Sequence, residues 1–274
     1  MKKIVLLCLF TCLAMACRVQ DKLSWVAIGD SITYLNDHPD ETGRRVEKGY
    51  MTRVAEQLPD MQYVNKGYNG WKAADIAARI DQLELPPADI YTVLLGTNDW
   101  WSGVPVGTMD DYIRNTGHAT LYGSFRIIID KLRRLRPDAR IILMTPLQRS
   151  DFVYFADHHN NAYGSYRNNR NGESLATFAD AVLRIGTREG ITVVDLYNRS
   201  GITQENIIKF KRLKDSEGIY REYKYPDFLT LPFAAEDEYP YPVEATDMTY
   251  DGLHPSDKGN AVIAKMLIEA MKNI

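Results

Sequence analysis

The chain has 274 residues, 45% of them hydrophobic and 25% charged, with a mean hydropathy of −0.32. This is the make-up of a globular protein, and it excludes collagen-like, disordered and polytopic membrane classes. The length suits one large domain, and a formal charge of −3 argues against a nucleic-acid partner, whose phosphates call for a basic surface.

Residues 1–17 stand apart. Lys2 and Lys3 precede an apolar run over residues 4–16 that ends at Cys17, the order of a secretory signal and too short a run to span a bilayer. Cys8, Cys12 and Cys17 are the only cysteines, so the remaining body has no disulfide framework. Leu13-Ala14-Met15-Ala16-Cys17 is similar to a bacterial lipoprotein signal, with Met15 departing from the usual small residue. The expectation is an exported protein, either a periplasmic or cell-surface lipoprotein whose only membrane contact is a lipid on Cys17, or else a secreted one. Residues 18–274 then form one domain of formal charge −5, since residues 1–17 carry two lysines and no acid.

Along that body, strand-like and helix-like segments alternate. Residues 25–28 form a short apolar run ending at Gly29, residues 62–65 a weaker one, and residues 90–95, 140–145 and 191–196 stronger ones. Such aliphatic runs suit strands buried on both faces. Between them, Ala73, Ala74, Ile76, Ala77 and Ile80 share a helical face before Pro86-Pro87. Leu121, Phe125, Ile128, Ile129 and Leu132 repeat the pattern before Pro137. Further helices are expected over residues 173–189, stopped by Gly190, and over 256–272. The alternation predicts right-handed crossovers and an α/β domain of three layers. Two stretches break the rhythm. Residues 149–172 are polar, and residues 211–249 are long, aromatic and without a period; both are expected to be loops that wall or cover a site, or to pack on their own aromatics.

Gly29-Asp30-Ser31 follows the first strand, where open α/β sheets bind ligands. Alone, this tripeptide is equally a helix cap. It is accompanied by Asn65-Lys66-Gly67-Tyr68-Asn69-Gly70 after the second strand and Gly96-Thr97-Asn98-Asp99 after the third. Asp251-Gly252-Leu253-His254-Pro255 stands ahead of the last helix. This ordered set resembles the SGNH/GDSL hydrolases, whose pattern is a GDS block, a glycine block, a GxND block and a DxxH block. The resemblance spans residue 23 to the C-terminus. It differs from the Gly-x-Ser-x-Gly elbow of the α/β-hydrolases, because Ile32-Thr33 follow the serine.

The resemblance implies a flavodoxin-like α/β/α fold with a five-stranded parallel sheet in the order 2-1-3-4-5. It also implies ester hydrolysis without metal or cofactor. Ser31 would attack the carbonyl, His254 would take and return the proton, and Asp251 would orient the imidazole. The backbone N–H groups of Ser31 and Gly70 and the amide of Asn98 would hold the oxyanion, with glycine at 70 to keep a Cβ out of the way. Asp30 is read as holding the turn below Ser31, and Asp99 as a brace for the oxyanion loop or a solvated turn acid. Trp71, Trp100 and Trp101 directly follow two of these blocks and are candidate cleft walls. Asp157-His158-His159 lacks the further spacing of a metal site and is read as an exposed loop.

Export and aromatic density favour short acyl esters of carbohydrates as substrates. Two alternatives remain open at this level. Lipid esters would need an apolar channel, which residues 228–233 could supply, and a surface lipoprotein that merely binds glycans would need no nucleophile.

Overall fold

A computed structural model of the chain describes residues 22–151, 164–231, 233–234 and 236–272. The lipoprotein-like segment and Asp157-His158-His159 lie outside the described residues.

Five parallel strands form the sheet: β1 (Leu23–Gly29), β2 (Met61–Gly67), β3 (Ile90–Leu94), β4 (Arg140–Met144) and β5 (Thr192–Val194), in the order β2-β1-β3-β4-β5. In register, Trp25 faces Tyr63 on one side and Ile90 on the other, and Ile90 faces Arg140. Alternate residues enter opposite layers. Val26, Ile28, Tyr91 and Val93 join one core, while Trp25, Ala27, Ile90 and Leu94 join the other. Burial on both faces explains why these strands read as continuous apolar runs.

The helices divide between the two faces. After the short α1 (Ser31–Tyr34) come α2 (Tyr50–Gln57), α3 (Ala73–Arg79), α4 (Thr97–Trp101), α5 (Met109–Arg114) and α6 (Leu121–Leu135). Then follow α7 (Leu175–Glu189), α8 (Leu196–Arg199) and α9 (Asp257–Lys272). α3, α6 and α7 cover the first core through Ile76, Phe125, Ile129, Phe178 and Ile185. α2 and α9 pack against each other over the second core through Met51, Val54, Ile263 and Leu267. Local chemistry sets the ends. Thr120 accepts from the Gly123 N–H at 3.1 Å to cap α6, Ser174 caps α7, and Gly190 closes α7 in the left-handed region at φ +64.

Two expectations need correction. α2 has no counterpart among the helices expected from the sequence, although Tyr50, Met51 and Val54 are its buried face. Residues 211–249 are not a structureless loop, because they contain an antiparallel hairpin, β6 (Lys211–Lys214) and β7 (Tyr220–Tyr223). Its turn is set by Asp215, whose Oδ1 accepts the N–H groups of Glu217 and Ile219, both at 2.9 Å. Leu213, Phe228 and Tyr241 of this insertion are buried in the second core.

Candidate active site

Three of the four blocks leave the carboxyl ends of β1, β2 and β3, the fourth directly precedes α9, and the fold brings them together. β1 turns directly into α1, which places Ser31 at the first position of a helix. Asp30 caps that helix, accepting the Ile32 N–H at 3.0 Å, and this is the turn-holding role read from the sequence. Burial pushes its carboxyl up to about 6, against the opposing pull of that hydrogen bond and of His254.

The turn from Asp251 to His254 faces Ser31 from the far end of the chain. His254 Nε2 lies 2.9 Å from Ser31 Oγ, and His254 Nδ1 lies 2.7 Å from Asp251 Oδ2. The other carboxylate oxygen, Oδ1, accepts the backbone N–H groups of Leu253 at 2.9 Å and His254 at 2.7 Å. One side chain therefore closes the turn and aims the ring. Burial of Asp251 works against its ionisation, but the His254 charge and these hydrogen bonds outweigh it and hold the carboxyl below the usual range. An ionised Asp251 keeps a proton on Nδ1 and leaves Nε2 to accept from the serine.

Gly70 and Asn98 line the same cleft as Ser31 and His254. Gly70 has φ +75, and a Cβ there would meet no protein atom within 4 Å. The left-handed backbone, rather than crowding by the protein, is what selects glycine at this position. Asn98 donates one amide hydrogen to the Trp71 carbonyl at 3.0 Å and keeps a second for the cleft. Asp99 is fully buried and accepts from the N–H groups of Ala73 at 2.8 Å and Ala74 at 3.3 Å. It braces the loop after Gly70 and is not a solvated acid; burial lifts its carboxyl to about 6.

The three tryptophans separate. Trp101 lines the cleft. Trp100 does not: it is fully buried in the first core, with its indole N–H on the Glu173 carbonyl at 3.0 Å. Trp71 stacks on Tyr68 at 4.5 Å beneath the Arg79 guanidinium, outside the cleft lining. Following a block in sequence says nothing of which way a helical side chain points.

Glu41, Thr42, Arg45 and Tyr250 also line the cleft without a sequence signal, whereas Arg149 and Tyr239 come from the two long stretches expected to wall a site. The Tyr250 ring lies nearly parallel to the His254 imidazole, 5.8 Å away, and the Arg149 guanidinium covers Trp101 at 4.1 Å. Arg149 follows the carboxyl end of β4, so the strand-end rule already pointed to it. Tyr239 belongs to the aromatic insertion, where no period singles it out from its neighbours. The cleft holds about 440 Å³, enough for a small ligand.

An open parallel α/β sheet with a Ser–His–Asp chain at its carboxyl edge defines a class of hydrolase, and comparison with known proteins agrees. Residues 27–262 match the model of the GDSL-like Lipase/Acylhydrolase family, and the chain belongs to that family. Its structure is similar to that of a possible lipase from Chitinophaga pinensis DSM 2588, with 58% identity and a TM-score of 0.89 over 92% of this chain and 98% of that one. A Lactobacillus plantarum protein shares the fold at 19% identity and a TM-score of 0.63, covering 92% and 98% of the two chains. An acetyl xylan esterase shares it at 17% identity and a TM-score of 0.52, covering 90% and 99%. No match was found among curated proteins.

Proposed function

We propose that the protein is a serine esterase that cleaves short acyl esters of carbohydrates through an acyl-serine intermediate. The observation that carries this reading is the unbroken hydrogen-bonded chain from Asp251 through His254 to Ser31, opening on a cleft. Ser31 Oγ attacks the ester carbonyl as its proton passes to His254 Nε2. The negative oxygen is met by the N–H groups of Ser31 and Gly70 and by the Asn98 amide. The carbon–oxygen bond to the alcohol then breaks, and the Nε2 proton goes to the departing oxygen. Water repeats the sequence on the acyl-serine, with His254 taking its proton and returning it to Ser31.

A sugar rather than a lipid is favoured by the walls. Glu41, Thr42, Arg45, Asn69 and Arg149 supply polar groups for sugar hydroxyls, with Trp101 and Tyr239 as faces for a sugar ring. The lipid reading has one point in its favour, the relative described as a possible lipase. Against it, Phe228 is 1% exposed and packed in the second core, so it offers no acyl channel. Export, with a lipid on Cys17, belongs to the same proposal and rests on the order of residues 1–17.

The test is hydrolysis of p-nitrophenyl esters from acetate to long acyl chains by residues 18–274 and by Ser31→Ala. Fast cleavage of acetate, and a loss of several orders of magnitude in the variant, is the expected result. Preference for long chains would move the assignment to lipid esters. Glycan retention with no turnover of any ester would make the protein a binding module.

A further inference from the structure

Beneath the Asp251–His254 turn lies a buried ionic cluster that the reaction itself does not use. Asp151, in the loop after β4, is 8% exposed, and Lys211 of β6, at 2% exposed, pairs with its Oδ1. The Tyr241 hydroxyl donates to that oxygen at 2.5 Å and lies 2.7 Å from the Asp151 carbonyl, while the Ser150 hydroxyl donates to Oδ1 at 3.0 Å. Burial resists ionisation of Asp151, but the Lys211 charge and these donors hold its carboxyl below the ordinary range. A buried ion pair is a poor source of net stability, and the best-attested reason to keep one is the geometry it imposes.

The geometry imposed here is that of Gly252. Its carbonyl accepts the Ser150 N–H at 2.7 Å. At φ +84, a Cβ on Gly252 would stand 2.8 Å from the Asp151 carbonyl oxygen and 2.9 Å from the Tyr241 hydroxyl. Gly252 links Asp251 to Leu253 and His254, so the cluster is the floor on which both proton-handling groups rest. Arg45 ties the same parts together from the cleft side. Its Nη1 donates to the carbonyls of Tyr241 at 2.9 Å and Tyr250 at 3.2 Å, the latter directly preceding Asp251.

We propose that Lys211, Asp151 and Tyr241 are positioning residues for hydrolysis, through which the insertion at 211–249 sets the Asp251–His254 turn against Ser31. The proposal rests on the acyl-serine reading. Two variants test it: Tyr241→Phe, which removes one hydroxyl, and the pair Asp151→Asn with Lys211→Met, which leaves no charge buried alone.

On p-nitrophenyl acetate each is expected to lower kcat about ten- to a hundred-fold with KM nearly unchanged, because sub-ångström misplacement acts on the chemical step. Labelling of Ser31 by a fluorophosphonate should slow in parallel, while circular dichroism and Tm report a folded protein. Folded variants with wild-type kcat and labelling rate would overturn the proposal, and so would a loss confined to KM. Ser31→Ala separates the two ideas. If it retains wild-type turnover, the acyl-serine reading falls and takes this proposal with it. An inactive Ser31→Ala beside full-rate Tyr241→Phe and double variants sinks the positioning role alone.

Discussion

The carboxylate of Asp99 accepts the backbone N–H of Ala73 at 2.8 Å, tying α4 to the first turn of α3. Because Asn98 immediately before it donates to the Trp71 carbonyl, two adjacent side chains grip the segment that follows Gly70. Asp99 does this without solvent, and burial raises its carboxyl from 3.8 to about 6.

That shift has a definite sign. The folded state holds the Asp99 proton more tightly than the unfolded state, so between about pH 4 and pH 6 this residue lowers stability as pH rises. Asp99→Asn removes that slope. The unfolding free energy of the variant relative to wild type should therefore rise by on the order of 3 kcal/mol from pH 4 to pH 7. Urea melts at a series of pH values measure it, and a pH-independent difference would show that Asp99 ionises normally.

Asp251→Asn is expected to keep the turn but reverse the ring. An amide hydrogen facing Nδ1 would push the imidazole proton to Nε2, where it points at Ser31 and can no longer accept. A fall in kcat of about 10⁴ should result, with little change in KM. Steady-state kinetics on p-nitrophenyl acetate check this, and a loss below tenfold would mean that Asp251 does not choose the tautomer.

Asn98→Ala removes the proposed side-chain donor to the oxyanion. The expected loss is about 10²–10³ in kcat. Asn98→Asp is the companion variant, because it too takes the donor from both the oxyanion and the Trp71 carbonyl. It keeps the size of the side chain but replaces the donor with an acceptor, and it should be at least as impaired.

Trp100 and Trp101 are neighbours with opposite consequences. Trp100→Ala empties a core site and should cost about 3–5 kcal/mol of stability. Trp101→Ala should leave the melt closer to wild type and instead raise KM for the preferred ester. Thermal melts and kinetics on both variants check the assignment, and a change in KM with Trp100→Ala at unchanged stability would contradict it.

The elements that sequence alone determined are those whose local signal is also their tertiary one. β1, β3 and β4 are buried on both faces, so their apolar runs announce them; α6 and α7 carry an apolar stripe and a capping Thr120 or Ser174. The blocks of the candidate site were legible for a related reason. Ser31, Asn98 and His254 each sit at a strand end or before a helix, where Gly and Asp must accompany them to make the turn. The Asp251–His254 spacing is short enough for one carboxylate to serve both backbone and ring.

What only the tertiary structure decided are contacts between parts far apart in the chain. Arg45 enters the cleft because it reaches the carbonyls of Tyr241 and Tyr250 across roughly two hundred residues of sequence. Lys211 is buried because Asp151 pairs with it and the Tyr241 ring packs beside it, and no periodicity encodes such a meeting. Trp100 and Trp101 differ by one position, yet a helix turns about 100° between them and sends one to the core and one to the cleft. Residue type and spacing set which chemistry is available, and the packing of the sheet and its insertion set which side chains reach it.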